Sequence, residues 1–232
     1  MHCAGVVRGA TWRAFASVNV EGTRNIATAA HATGTRVLCL SSLAAREPAL
    51  SLYARSKRVG EQAAFEAGAN VTTLRPPAVY GPGDKELKPL LDLMWRGLAV
   101  VPHHAGRFSL IHVEDVVSAV LAWLATPQCP SGPFELDDGR VGGYAWNDVI
   151  ATARKLTGRR TRSVAVPRAV LMIPASLNAV VGKLGIGSPM VTPGKVNELF
   201  HTNWVCDASP FATATGWRPQ VGLEAGLRSL YE

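Results

Sequence analysis

Cysteine is scarce in this sequence, and its spacing marks neither a disulfide framework nor a metal site. The 232 residues contain 4 cysteines, Cys3, Cys39, Cys129 and Cys206. No pair has the C-x-x-C spacing of a zinc or redox site, so the sequence predicts free thiols and no metal. Cys3 and Cys39 stand in apolar, strand-like runs, and we expect both to be buried. Free thiols, and an opening segment without the features of a secretory leader, predict a cytoplasmic location.

Long apolar runs are also missing. The most apolar stretch extends from Ala169 to Gly182 and contains Pro174. About 20 apolar residues are needed to cross a bilayer, so the sequence predicts no transmembrane segment. A helix lying on a membrane surface is the alternative for this stretch.

Acidic residues are fewer than basic ones, 17 against 24, which gives a formal net charge of +7. Such an excess is compatible with nucleic-acid binding. The basic residues are scattered, however, and no aromatic residues interleave the densest cluster, which comprises Arg154, Lys155, Arg159, Arg160 and Arg162. A solvated surface fits this pattern better, so we predict no nucleic-acid partner.

Short β-type runs alternate with helical stretches, which predicts an α/β fold with crossover helices. In the first third we expect a helix over about 12–32, a buried strand over 37–40, and a helix ending near Ala67, before Gly68. A strand over 71–74 follows, and Arg75, Pro76 and Pro77 end it. Tyr80 to Asp84 then reads as turns.

The sequence of the remaining chain predicts short strands and helices. We expect strands over 108–113 and 134–136, and helices over 85–96, 116–125, 144–156, 170–181, 194–200 and 223–230. Gly182 to Gly187 is glycine-rich, yet it follows a helical stretch and opens no strand-turn-helix unit. A helix end or loop is therefore the interpretation, rather than a pyrophosphate loop.

Tyr53 and Lys57 form the most informative pair. Residues at i and i+4 share a helix face, so the phenol and the ammonium can point at what Ser42 also reaches. Ser42 ends the run after Val37, where open α/β sheets bind ligands. A nearby cation favours the phenolate form of a tyrosine. This set is suited to moving a proton on or off an alcohol oxygen.

The pair belongs to an ordered set of motifs. Asn19 opens N-V-E-G-T, Ser41 and Ser42 end a strand, Tyr53 to Lys57 follow, and Leu74 to Gly83 reads L-R-P-P-A-V-Y-G-P-G. Together they resemble the extended short-chain dehydrogenase/reductases, in the NAD-dependent epimerase/dehydratase family. The resemblance implies an incomplete Rossmann-like, doubly wound parallel α/β sheet with a small, interleaved α+β substrate lobe. That family opens with a glycine-rich βαβ part, which we expect this chain to lack.

The resemblance also implies a division into lobes. Residues 1–80 with about 113–137 would form a partial nucleotide-binding lobe, and 81–112 with about 138–232 the substrate-binding lobe. The first strands of the sheet would be missing, so the strand ending at Ala4 would be an exposed edge that favours association.

The resemblance assigns residues to roles. The catalytic set would be Ser42, Tyr53, Lys57 and Asn19. NAD or NADP would contact Ala4, Tyr53, Lys57, Pro76, Ala78 and Val79. Asn19 could instead tie a loop to the sheet, and Ser41 is expected to serve packing or backbone contacts. His112 and Asp115 match an I-H-V-x-D motif and are expected to be structural.

One departure bears on the substrate. Nucleotide-sugar enzymes of this group commonly place an Arg-Asp pair before the I-H-V run, where this chain has Phe108, Ser109 and Leu110. Losing a bidentate phosphate partner favours an uncharged alcohol or ketone over a diphosphate, although Arg107 is adjacent. The expected substrate is a small-molecule alcohol or ketone, or a sugar-like molecule. We therefore expect an NAD(P)-dependent oxidoreductase or epimerase-type enzyme that moves a hydride and a proton at a carbon-bound hydroxyl or ketone. We expect this chain to be a truncated form of it, and a homodimer is a possible assembly. The alternative is a catalytically silent fragment or assembly subunit.

Overall fold

A computed structural model describes residues 1–103, 106–183 and 191–231. The described residues form two compact units. The first comprises Met1–Arg75, Pro130–Phe134 and Arg168–Phe200; the second comprises Pro76–Cys129, Glu135–Pro167 and His201–Glu232. The units differ from the predicted lobes in two ways. Residues 168–200 belong with the N-terminal part, and residues 76–80, 113–129 and 135–137 belong to the second unit. Which lobe binds which ligand stays a prediction.

The first unit is built on a parallel sheet. It contains β1 (Val37–Leu40), β2 (Val71–Arg75) and β7 (Gly132–Glu135) in the order β1-β2-β7. β1 and β2 are parallel, with Val37 opposite Val71 and Leu40 opposite Leu74. On the other side of β1, His2 forms an isolated parallel bridge with Cys39. The predicted α/β class with parallel pairing is confirmed.

The helices of this unit follow the predicted sequence of elements. α1 (Trp12–Ala16), a π-helical turn (Ser17–Gly22) and α2 (Thr23–Ala32) occupy the region predicted as one helix. A 3₁₀ turn (Leu43–Arg46) and α3 (Leu52–Glu66) follow β1, and α7 (Arg168–Lys183) and α8 (Pro193–Leu199) come later. Gly68 has a φ of 77° just beyond α3, as suits a glycine after a helix end.

The second unit contains short parallel strand pairs. β3 (Ala78–Tyr80) pairs with β6 (Leu110–His112), β4 (Leu98–Pro102) with β8 (Arg162–Val166), and β5 (Arg107–Phe108) with β9 (Asn203–Trp204). Its helices are α4 (Lys88–Trp95), α5 (Val113–Ala125), α6 (Trp146–Thr157), α9 (Ser209–Thr215) and α10 (Leu223–Ser229). Sequence reasoning missed β3, β4, β8, β9 and α9, because such short elements depend on non-local partners more than on their own pattern.

Each unit buries its own apolar cluster. In the first, Ala27, Val37, Cys39, Ala64 and Val71 pack together. In the second, Tyr80, Met94, Ile150 and Leu227 belong to a larger cluster. Within the described ranges, no helix is long and apolar enough to cross a membrane.

Candidate functional site

The helix that carries Tyr53 and Lys57 is capped by the residue that precedes it. Ser51 caps α3, and its hydroxyl accepts a hydrogen bond from Ala54 N at 2.9 Å. A side-chain acceptor at this position satisfies an amide that has no partner inside the helix. Tyr53 and Lys57 lie one turn apart and both are half-buried. The residues that α3 buries are all small, namely Ala54, Ser56, Gly60, Ala63 and Ala64.

Lys57 is fixed at the carboxyl end of β1. Its Nζ donates a hydrogen bond to Leu40 O at 2.9 Å. Burial lowers the pKa of Lys57 from its usual value, and the carboxylate of Glu61 opposes that effect. The cation is therefore held in place and partly stripped of water, a condition in which its field acts more strongly on a neighbouring group.

Tyr53 packs against the first helix. Its ring centroid lies 6.2 Å from that of Phe15, with the planes tilted by 58°. Phe15 itself is buried, so it offers a rigid apolar surface. This contact restricts the phenol ring without using its hydroxyl.

Two adjacent serines have different surroundings. Ser41 Oγ donates to Glu61 Oε1 at 2.5 Å, and Arg75 forms a two-pronged ion pair with the same carboxylate. Ser42 Oγ accepts from Ala44 N at 3.2 Å, which caps the 3₁₀ turn. Accepting that bond uses a lone pair of Ser42 and not its proton. Ser41 thus makes a structural hydrogen bond to α3 instead of the packing or backbone contacts expected of it, and the Ser42 hydroxyl can still donate.

Asn19 lies in the π-helical turn and ties three segments together. Its Oδ1 accepts from Val6 N at 2.8 Å, and its Nδ2 donates to Val6 O at 2.9 Å and to Ser56 Oγ at 2.8 Å. These contacts match the tethering alternative, here for the segment that follows His2. A catalytic role for Asn19 stays a prediction. π-Helical turns are frequent at functional sites, and this one places a polar side chain beside α3.

The missing Cβ of Gly5 leaves a gap of the size of one methyl group beside Asn19 and Lys57. A Cβ on Gly5 would lie 3.4 Å from Lys57 Nζ and 3.5 Å from Asn19 Oδ1. Ala4, predicted to contact the cofactor, is exposed beside this gap in sequence. A polar group of a ligand placed there would meet a cation and an amide oxygen, so the residues present fit the ribose end of a dinucleotide.

The other predicted cofactor residues lie in the second unit. Pro76 is buried, whereas Ala78 and Val79 belong to β3 and pair with Leu110 and Ile111. No strand was predicted at these two positions. The backbone forms a short strand because β6 offers it a parallel partner. Their contact with a cofactor stays a prediction.

His112 and Asp115 have structural contacts. His112 caps α5, with Glu114 N donating to His112 Nδ1 at 3.4 Å. The carboxylate of Asp115 accepts from Gln220 N and Val221 N, each at 2.9 Å. Asp115 thus fastens a distant loop to the first turn of α5, as the structural interpretation expects.

In the segment that departs from the nucleotide-sugar pattern, the polar side chains form hydrogen bonds within the chain. Ser109 is buried, and its Oγ accepts from Cys206 N at 3.0 Å. Arg107 donates to the carbonyls of Gly142 and Gly143, at 2.5 and 2.8 Å. The guanidinium that could replace a phosphate clamp therefore holds a glycine turn.

Sequence reasoning missed several residues that shape the site. Glu61 and Arg75 support Ser41, and Ser56 supports Asn19. Ser51 donates to Glu198 Oε1 on α8. Glu61 could have been found as the i+4 neighbour of Lys57 on one helix face; Glu198 could not, since it is 147 residues from Ser51. The described part of Gly182 to Gly187 ends with Lys183 at the end of α7, and Leu184 to Gly187 lie outside the described residues.

Comparison with known proteins identifies a family and relatives of this chain. Residues 1–133 match the family model described as the NAD dependent epimerase/dehydratase family. The chain is 38% identical to a ceramide reductase of Caulobacter vibrioides over 91% of its own length and 67% of that protein. It is 26% identical to the decarboxylating sterol-4-alpha-carboxylate 3-dehydrogenase of Saccharomyces cerevisiae, over 98% of this chain and 74% of that one.

A solved structure shows the same fold. UDP-glucuronic acid 4-epimerase from Bacillus cereus, in complex with NAD, superposes with a TM-score of 0.72 at 15% identity. The superposition covers 99% of this chain and 74% of the epimerase. The predicted Rossmann-like fold is therefore confirmed.

The expected cofactor class agrees with these findings. The matching family is NAD-dependent, and the epimerase with this fold carries NAD. The Gly5 gap beside Lys57 and Asn19 has the polarity such a group needs. NAD(P) is the cofactor class that goes with this chain, and the match over residues 1–133 means that the chain belongs to the NAD-dependent epimerase/dehydratase family.

Proposed function

We propose that this chain provides the proton-transfer site of an NAD(P)-dependent oxidoreductase that interconverts a ketone and an alcohol. The observation that carries the proposal is the placement of Lys57. Its Nζ is held by Leu40 O, borders the Gly5 gap, and lies one helical turn from Tyr53. A cation in that position favours the phenolate of Tyr53, whose ordinary pKa of about 10 would otherwise make it a poor base.

Each side chain then has a task in ketone reduction. NAD(P)H, when bound, supplies the hydride that reaches the carbonyl carbon. The Ser42 hydroxyl donates a hydrogen bond to the carbonyl oxygen and orients it. The Tyr53 hydroxyl gives its proton to that oxygen as the C=O bond becomes C–O–H, and Lys57 stabilises the phenolate left behind. In alcohol oxidation the same phenolate takes the proton back.

The proposed substrate is an uncharged lipid alcohol or ketone. Ser109 and Arg107, at the position of the phosphate clamp, bind the chain's own backbone. Two relatives are named for ceramide and sterol chemistry. The Bacillus cereus epimerase is named for a sugar nucleotide, but at 15% identity that likeness concerns the fold.

Further predictions belong to this proposal. We assign 1–80 with about 113–137 to the nucleotide and 81–112 with about 138–232 to the substrate. A cytoplasmic location, a homodimer and a truncated form also stay predictions, and so does the silent-subunit alternative. Ala4, Pro76, Ala78 and Val79 are proposed to touch the cofactor.

The test compares the turnover of candidate substrates by the purified protein. A keto-ceramide and a 3-keto sterol, dispersed in detergent, are offered with NADH or NADPH, and the loss of reduced-nicotinamide absorbance is followed. UDP-glucuronic acid with NAD is the matched sugar-nucleotide arm. We expect turnover of a keto lipid only. Turnover of the sugar nucleotide alone contradicts the substrate class, and no turnover with no cofactor binding favours the silent subunit.

A further inference from the structure

A buried ion pair lies at the end of the sheet that holds Lys57. Arg75 is the last residue of β2, and Glu61 lies on α3 one turn after Lys57. Arg75 Nε donates to Glu61 Oε1 at 2.9 Å, and Arg75 Nη2 donates to Glu61 Oε2. The exposed fractions of the two side chains are only 9% and 10%. A two-pronged pair of this kind fixes the carboxylate more firmly than a single contact does.

The other described contacts of the Glu61 carboxylate are a hydroxyl and a more distant cation. Ser41 Oγ donates to Glu61 Oε1 at 2.5 Å. Arg58 Nη1 lies 3.8 Å from Glu61 Oε2, and the side chain of Arg58 is 53% exposed. Because water screens an exposed charge, Arg58 contributes little to the balance. Arg75 is therefore the main cation that neutralises Glu61 within the described part of the chain.

Lys57 is the other cation that Glu61 could pair with. Opposite charges at i and i+4 are neighbours on a helix and attract each other. Lys57 Nζ donates to Leu40 O instead, and the described contacts of Glu61 do not include it. The two groups still interact, because burial lowers the pKa of Lys57 and the field of Glu61 acts in the opposite direction. Without Arg75, the carboxylate would attract the ammonium and weaken its field at Tyr53.

We propose that Arg75 is a positioning residue of the site: it keeps the Glu61 carboxylate neutralised and away from Lys57, so that the charge of Lys57 acts on Tyr53. This inference rests on the proposed roles of Tyr53 and Lys57 in proton transfer. Arg75 acts through Glu61 and need not touch substrate or cofactor. Its place at the end of β2, next to the strand whose last carbonyl holds Lys57, brings the neutralising charge to the site.

Other titratable groups near Lys57 belong to β1 and to the N-terminal segment. Cys39 and Cys3 act on Lys57 electrostatically, and burial raises the pKa of Cys39 to about 11. Burial, and then the charge of Lys57, lower the pKa of His2. Substitutions at the ion pair leave these groups in place, so differences between variants report the two charges that are changed.

The absorbance of tyrosinate tests the inference on the purified protein, without substrate or cofactor. The chain has 4 tyrosines, and burial raises the pKa of Tyr80, Tyr144 and Tyr231 above its usual value. We therefore expect Tyr53 to ionise first as the pH rises. Tyr53→Phe should remove this first step and so identifies it.

Variants of the ion pair should move the midpoint of this ionisation in opposite directions. Arg75→Met leaves the carboxylate unpaired and should raise the midpoint by about one pH unit, whereas Glu61→Gln leaves the guanidinium unpaired and should lower it by a similar amount. The double variant should return to the wild-type midpoint, because both charges are gone. Arg58→Gln is the matched control, and loss of this exposed arginine should leave the midpoint unchanged.

Shifts in the same direction in both single variants, or no shift in either, would overturn the inference, since a purely structural disturbance does not follow the sign of the charge removed. Arg75→Lys keeps the charge and should keep the wild-type midpoint. Thermal unfolding checks that the variants fold, and Arg75→Gln replaces Arg75→Met where that variant does not. Failure of the proposed function is separate, because it appears as no turnover of detergent-dispersed keto lipid even where the midpoints move as expected.

Discussion

At the scale of single residues, the site depends on how one cation is held. Lys57 has its Nζ on Leu40 O, and burial lowers its pKa while Glu61 acts in the opposite direction. Glu61 is itself committed to Ser41 and Arg75. The charge of Lys57 is therefore only partly compensated by its neighbours, and much of its field remains for a phenolate or a ligand hydroxyl.

This arrangement separates the effects of two substitutions. Tyr53→Phe should lower kcat by about 10² to 10⁴-fold, since it removes general acid/base catalysis and little else, and cofactor affinity should change little. Lys57→Met should lower both kcat and cofactor affinity. Steady-state kinetics and titration calorimetry with NAD and NADP measure the two quantities.

Tyr80→Phe is the matched control for the loss of a phenol hydroxyl. The Tyr80 hydroxyl is buried without a hydrogen-bond partner among the described residues, so its removal should leave turnover unchanged. If Tyr53→Phe keeps more than about a tenth of the wild-type rate, the assignment of the proton donor is wrong.

At the scale of elements, the position of α3 depends on its small residues. A Cβ on Gly60 would lie 2.2 Å from Asn19 O, a distance that no real side chain tolerates. The carbonyl of Asn19 also accepts a hydrogen bond from Thr23 Oγ1 at 2.9 Å. The glycine thus permits the π-helical turn and α3 to approach closely enough for Asn19 to reach Ser56.

Gly60→Ala should therefore destabilise the protein by about 1–3 kcal/mol, because the backbones must separate. Gly22→Ala is the matched change, since a Cβ there would meet only Ser17 O at 4.0 Å. In a helix that substitution should stabilise by about 0.5–1 kcal/mol. Urea unfolding gives both free energies, and equal effects of the two substitutions would contradict the close-contact argument.

The elements also show what the sequence could predict. β1, α3 and β2 have strong local patterns. The structure has both strands, and the end of α3, within a residue of the expected positions. Tyr53 and Lys57 were placed correctly on one helix because i and i+4 fix their relation. The π-helical turn, β3 and the contact between Ser51 and Glu198 were missed, since each depends on residues distant in the chain. Asn19 shows the limit most clearly: its motif was visible, but its tethering bonds to Val6 were not.

At the scale of the whole molecule, the burial of the four cysteines can be compared in both units. None of the four cysteines, all of which lie within the described residues, forms a disulfide. The expectation that Cys3 is buried is wrong: it is exposed, because the segment around it forms only the single bridge at His2. Cys39, in the cluster of the first unit, and Cys129 and Cys206, in the second, are buried.

Burial raises the pKa of Cys39 from 9.0 to about 11. At pH 8 only about one molecule in a thousand then carries its thiolate in the folded state, and the thiolate is the reactive form. The pH dependence of stability follows from the difference in proton binding between the folded and unfolded states. Between pH 9 and about 11 the unfolded thiol has lost its proton while the folded one keeps it, so the contribution of Cys39 to stability falls as the pH rises through that window.

Alkylation with iodoacetamide, followed by peptide mass spectrometry, tests this assignment in the native protein. Cys3 should react first and Cys39 much more slowly, while in denaturant all four should react at comparable rates. Native labelling of Cys39 should rise about tenfold per pH unit below its pKa, in proportion to the thiolate. Labelling of Cys39 as fast as Cys3 at pH 8 would mean that the cluster around β1 opens readily. The Leu40 carbonyl that anchors Lys57 would then not be held in place, and the positioning argument for the site would fail with it.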